Sequence, residues 1–180
     1  MMFEGAAIIR ERVARYNIQC DLKDGGVYAA TSRRKVSGLE EQKKLWEKWG
    51  HPGLQLITDK FALHKVVNSD RYEAMLVDKT GGHFHPLNLC LGEAAALEQC
   101  GGTIYENCAA LRIERGAKAI VHTANGRVTT KFVIVACNAY IGDLEPKLAA
   151  MSMPCGTQVV ATEPLGVLGD TLIPSDFCVE

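Results

Sequence analysis

Between Gly81 and Gly102 the chain reads as loop, helix and stop, and its neighbours must fit around that unit. Gly81-Gly82 reads as an opening loop, because glycine tolerates dihedrals other residues avoid. His83-Phe84-His85 follows, and Pro86 suits the first turn of a helix. Leu87, Leu91, Ala94, Ala95 and Leu97 recur on one helical stripe. Gly101-Gly102 then stops the helix. The loop carries polar and aromatic side chains while the helix is almost all packing. That division suggests a site held by a rigid scaffold.

Before this unit the pattern mixes helices and strands. Phe3, Ala6, Ile9, Val13 and Tyr16 share a helical stripe flanked by charge. Ile18–Leu22 and Val27–Thr31, separated by Lys23-Asp24-Gly25-Gly26, predict a hairpin. Ser32 precedes a helix to about Trp49, which Gly50-His51-Pro52-Gly53 ends. Leu54–Ile57 predicts a strand, Asp59 caps a short helix to about Val67, and Arg71–Asp78 predicts another strand. After Gly102 strands dominate: Thr103–Glu106, Ala109–Glu114, and Ala119–Thr123, closed by an Asn125-Gly126 turn. Phe132-Val133-Ile134-Val135-Ala136 is apolar without alternation, which predicts a strand buried on both faces. A short helix to about Met151 and a strand over Gly156–Thr162 complete the order. The class is α/β with α+β mixing.

Charge excludes some functions. A net charge of −1 leaves no electrostatic footprint for nucleic acid. No apolar run approaches the roughly 18 residues that span a bilayer. Seven cysteines are scattered without a CxxC pair, which argues for reduced, mostly buried thiols in a cytoplasmic protein. His83 and His85 are spaced for either substrate contact or local packing, and they lack a third ligand at helical spacing, so no metal is expected. Cys137 directly follows the apolar run, where sheet ends commonly carry ligand contacts. A catalytic thiol there would need a nearby positive charge, and the sequence supplies none. None of the glycine pairs has the GxGxxG or GxxxxGK[ST] spacing of a phosphate loop.

Gly81-Gly82-His83-Phe84-His85-Pro86-Leu87-Asn88-Leu89, Gly102-Thr103-Ile104-Tyr105-Glu106 and Phe132-Val133-Ile134-Val135-Ala136-Cys137-Asn138-Ala139-Tyr140 together resemble the FAD-dependent amine and amino-acid oxidases of the D-amino acid oxidase superfamily. Ile9–Tyr16 and Met153–Leu165 resemble its gamma-glutamylputrescine oxidoreductase branch. The resemblance implies a partial FAD-dependent oxidase fold: part of a Rossmann-like FAD domain plus part of a mixed-sheet substrate domain. By analogy, residues 1–84 belong to the substrate domain, 85–152 to the FAD domain, and 153–180 begin the return to the substrate domain. It implies FAD contacts at Ala110, Ala136, Cys137 and Asn138, and substrate contacts at His83 and Gln158. Ala110 stands where the family usually has valine, and a backbone contact would survive that change.

The implied activity is oxidation of a primary amine such as gamma-glutamylputrescine to the aldehyde, with ammonia and hydrogen peroxide. Such oxidases open with a strand, a GxGxxG turn and a helix that hold the pyrophosphate, and this sequence lacks them. The expectation is therefore a middle fragment that is inactive alone and self-associates through bared sheet edges. The alternative is a stand-alone, non-catalytic small-molecule-binding or assembly module, which a natural gene product of this length would favour.

Overall fold

The apolar run Ala74-Met75-Leu76-Val77 demands cover on both sides, and it finds it in the computed structural model, which describes residues 2–180. The chain divides into two units, Met1–Gly102 with Thr162–Glu180, and Thr103–Ala161.

In the first unit the order is α1 (Met2–Arg15), β1 (Lys23–Ala30), α2 (Arg33–Lys48), β2 (Leu54–Ile57), α3 (Lys60–Val66), β3 (Ala74–His83) and α4 (Pro86–Gln99). β3 lies centrally, antiparallel to both β2 and β1. Side chains alternate across a strand, so β3 feeds two cores. Met75 and Val77 pack with Val27 and with Leu63 and Val66 of α3. Ala74 and Leu76 pack with Ala30, Leu54 and Leu39 of α2. The sheet is thus a layer between two helices. Asp59 caps α3 by accepting the Ala62 N–H at 2.9 Å. Ser32 stands at the N-cap of α2 but makes no side-chain cap bond. Pro86 opens α4, and Gly101 follows it with φ +84. A Cβ on Gly92 would sit 2.2 Å from Ile18 Cγ2, so α4 needs glycine where it meets that side chain.

In the second unit β4 (Ala110–Glu114), β5 (Ala119–Thr123) and β6 (Gly126–Thr130) form an antiparallel meander. The β5–β6 hairpin forms as expected, with Ala124 and Asn125 between the paired Thr123 and Gly126. Positive φ is absent at Asn125 and Gly126, so the turn is not the Asn-Gly type anticipated. Two short 3-10 turns and α5 (Pro146–Ala149) follow. The chain then rejoins the first unit through α6 (Val167–Leu172) and β7 (Cys178–Val179), which pairs parallel with β1.

Several expectations need correction. Ile18–Leu22 is not a strand, and the partner of β1 is β3. Gly81-Gly82 is not a loop, because β3 continues through it to His83. Thr103–Glu106 and Gly156–Thr162 are irregular. Phe132–Ala136 is irregular and open: Phe132 is 83% and Ile134 89% exposed. A buried strand needs flanking strands on both edges, and no strand among the described residues pairs with this run. All seven cysteines are free, but only Cys20 is buried; Cys108 and Cys137 are half-buried and the other four exposed. The helices and strands otherwise preserve the mixed class that the sequence predicts.

Candidate functional site

The most built feature of the first unit is a bulge where β3 passes Gly25. Gly26 pairs with Asp78, and Asp24 pairs with Gly82, so Lys79, Thr80 and Gly81 stand opposite one residue of β1. Extra residues in a bulge leave ladder groups without partners. Here two side chains take them. Asp78 Oδ1 accepts the Thr80 N–H at 2.8 Å, the Thr80 hydroxyl at 2.7 Å and the Gly81 N–H at 3.2 Å. Arg10, reaching from α1, donates to the carbonyls of Thr80 at 3.3 Å and Gly81 at 3.1 Å. Asp24 holds the same guanidinium from β1. N–H groups go to the carboxylate and C=O groups to the guanidinium, as their polarity requires.

Asp78 itself is buried. Burial pushes its carboxyl up, but the Thr80 hydroxyl and N–H, the His51 imidazole and the Gly81 N–H outweigh it and hold the group below the usual aspartate value. His51 Nε2 lies 3.2 Å from Asp78 Oδ2, outside hydrogen-bond alignment. The contact is therefore an ion pair when the imidazole carries its second proton. His51 Nδ1 lies 2.9 Å from the Pro52 carbonyl. Its ring stacks on Trp46 with centroids 5.6 Å apart and meets the edge of Phe3 at 4.9 Å. Tyr28 crosses Trp46 at 5.3 Å. Burial raises its phenol, and the charges of Glu180, Asp78 and Cys178 add to the rise.

The bulge delivers Gly82 and His83. A Cβ on Gly82 would stand 2.5 Å from the Lys23 carbonyl oxygen, so the strands approach too closely for any side chain there. His83 ends β3 opposite Lys23, half-buried, and its Nδ1 is buried with no hydrogen-bond partner among the described residues. A buried polar atom without a partner costs free energy that a ligand can recover. Gly81 and Gly82 border two hollows. One, of 120 Å³, is lined with Gly26, Tyr28, Asp78 and Glu180. The other, of 210 Å³, is lined with Ala6, Ile9, Arg10, Leu22 and Phe84. His85, by contrast, is structural: its Nδ1 accepts the Asn88 N–H at 3.2 Å and caps α4.

The other residues singled out in the sequence belong to the second unit. Ala110 begins β4 opposite Thr123, beside a register shift. Ala136 is exposed, Cys137 is half-buried ahead of a 3-10 turn, and Asn138 takes φ 49. Gln158 lies in the open stretch around Val159 and Val160, each 90% exposed. His83 and Gln158 therefore sit in different units. No group of three or more His, Cys, Asp or Glu side chains among the described residues is arranged to hold a metal. No described helix is long and apolar enough to cross a membrane.

Sequence reasoning missed Asp78, Arg10 and His51. Asp78-Lys79-Thr80 carried a faint signal, since aspartate commonly binds the backbone N–H two residues on. Arg10 carried none, because its targets lie some seventy residues away along the chain.

Comparison with known proteins bears on the family and the fold. Gamma-glutamylputrescine oxidoreductase of Escherichia coli is 52% identical over 182 residues, which take in all of this chain and 42% of that protein. The probable oxidoreductase OrdL of Haemophilus influenzae is 36% identical, over 99% of this chain and 43% of its own length. The chain thus spans less than half the length of either relative. Glycine oxidase from Geobacillus kaustophilus superposes with a TM-score of 0.68 at 20% identity, over 79% of this chain and 39% of the other. L-proline dehydrogenase from P. horikoshii gives 0.67 at 18%, over 84% and 41%. At such identities these two structures speak for the fold alone. Residues 1–179 match the family described as FAD dependent oxidoreductase, and the chain belongs to that family.

Proposed function

We propose that these residues are the middle of a flavin-dependent amine oxidoreductase that oxidises a primary amine such as gamma-glutamylputrescine to the aldehyde. The observation that carries this reading is the 52% identity to the E. coli enzyme, which extends over the entire chain. The same identity favours an oxidoreductase over a non-catalytic binding module. FAD, when bound, supplies a two-electron acceptor for hydride from the amine carbon and passes the electrons to oxygen, giving hydrogen peroxide. Water then hydrolyses the imine to aldehyde and ammonia.

On this reading residues 1–84 contribute to substrate binding, 85–152 to the FAD domain and 153–180 to the return. Ala110, Ala136, Cys137 and Asn138 meet the cofactor, and His83 and Gln158 meet the substrate. The unpartnered Nδ1 of His83 supports a ligand-facing role for that residue. The site is cytoplasmic. The phosphate-gripping GxGxxG turn is not among these residues, so the isolated chain binds FAD weakly and lacks activity.

The test pairs two measurements. Titrating the 180-residue chain with FAD is expected to give no stoichiometric complex with a shifted flavin spectrum. A complete enzyme that contains these residues is expected to release one hydrogen peroxide per aldehyde from gamma-glutamylputrescine. Failure of the complete, flavin-loaded protein to oxidise any primary amine would falsify the reading.

A further inference from the structure

We propose that Asp78 is a positioning residue for His83, acting through Thr80 and Gly81 to set where the imidazole stands against the substrate. This rests on the reading that His83 faces that substrate.

The chain of contacts is short. Asp78 Oδ1 accepts three hydrogen bonds from Thr80 and Gly81, two of them from backbone N–H groups. Arg10 fixes the carbonyls of the same residues. Gly82 is then pressed against the Lys23 carbonyl, and the pairing of Lys23 with His83 resumes directly after it. Thr80 and Gly81 have little slack: their N–H groups, their carbonyls and the close approach that follows are all occupied. Directly after them, His83 Nδ1 is buried with no hydrogen-bond partner among the described residues. A site held this tightly on a sheet, ending in a free polar atom, is the arrangement that orients a ligand contact. Bulges commonly re-aim a side chain in this way. His51 Nε2 lies 3.2 Å from the other oxygen, Asp78 Oδ2.

The experiment uses the 180-residue chain with 15N-labelled histidine and the complete FAD-loaded enzyme side by side. In the labelled chain, His83 ring resonances are identified by their loss in His83→Gln. Asp78→Asn and Thr80→Val are expected to shift or broaden them, while the His122 resonances stay in place. Thr80→Ser keeps the hydroxyl and is expected to keep the wild-type spectrum. Thr80→Val decides the matter even if Asp78→Asn does not fold. His83 resonances unmoved in Thr80→Val, and in any Asp78→Asn chain that folds, overturn the proposal.

In the complete enzyme, Thr80→Val and His83→Gln are each expected to raise KM for gamma-glutamylputrescine about tenfold, with kcat within about twofold, as loss of one ground-state hydrogen bond predicts. The double variant should be no worse than His83→Gln alone. If His83→Gln leaves KM unchanged, the substrate-facing role of His83 falls, whereas the resonances still judge the coupling to Asp78.

Discussion

Arg10 and Asp78 hold the same two residues from opposite chemical ends: the guanidinium takes the carbonyls of Thr80 and Gly81, and the carboxylate takes their N–H groups. The two side chains come from a helix and a strand nearly seventy residues apart, and together they leave the bulge no free ladder group at Thr80 or Gly81. This satisfaction lets an irregular strand persist in a mostly buried sheet.

Gly82 and Gly81 should answer differently to alanine. A methyl at Gly82 meets the Lys23 carbonyl at 2.5 Å, a backbone atom that cannot step aside. Gly82→Ala is expected to destabilise the first unit by about 1–3 kcal/mol, the usual range for overpacking. At Gly81 the nearest atom is Asp78 Oδ2 at 3.4 Å, an ordinary contact, so Gly81→Ala should cost little. Urea unfolding of the two variants compares them directly.

Acid should loosen the bulge. The Asp78 carboxyl is held below its ordinary value, so it binds a proton less readily folded than unfolded. Its contribution is fully present above the unfolded value of about 3.9 and is lost as pH falls through the lower, folded one. Unfolding midpoints between pH 7 and pH 2 should therefore fall at the acid end. Asp78→Asn should flatten that part of the curve and cost about 1 kcal/mol at neutral pH, because the three donors then meet a neutral amide oxygen in place of a carboxylate.

Leu63 is fully buried between α3 and the sheet. Leu63→Ala removes packing on the face remote from the bulge and should cost about 2–5 kcal/mol. The His83 resonances should stay where they are in the folded fraction. Thermal melts and the labelled spectra test both statements.

The isolated chain should self-associate. Phe132, Ile134, Val159 and Val160 are all more than four-fifths exposed, and β4 and β6 are edges of a three-stranded sheet. Apolar surface beside open edges recruits other chains. Light scattering across a concentration series should show mass rising above the monomer. Ile134→Lys with Val160→Lys should lower it.

Helices α1 to α4 were legible because their signals are local, whereas α6 and β7 went unread. Pro86 and Gly101 bracket α4, Asp59 caps α3, and the stripes of α1 and α2 need only their own residues. The strands of the meander and β2 were equally local. What escaped the sequence depends on distant partners. Gly81-Gly82 read as a loop because nothing nearby shows that Arg10 and Asp78 will hold it in a strand. Asp78 itself looked like the polar end of an apolar run. Phe132–Ala136 announced a need for cover, and that pattern shows only that a segment seeks partners, not which residues supply them. His83 was legible as a candidate from its glycine neighbours, but the residues that aim it were not.

The position beside β1 is filled by Cys178 and Val179, and Glu180 continues the contact: its N–H donates to Val27 and its carbonyl accepts from Ala29. On the ribosome, β1 and β3 are made before residues 103–161, and β7 only after them. This flank of β1 therefore waits for its partner strand while the second unit is made, and translation speed over 103–161 sets how long it waits.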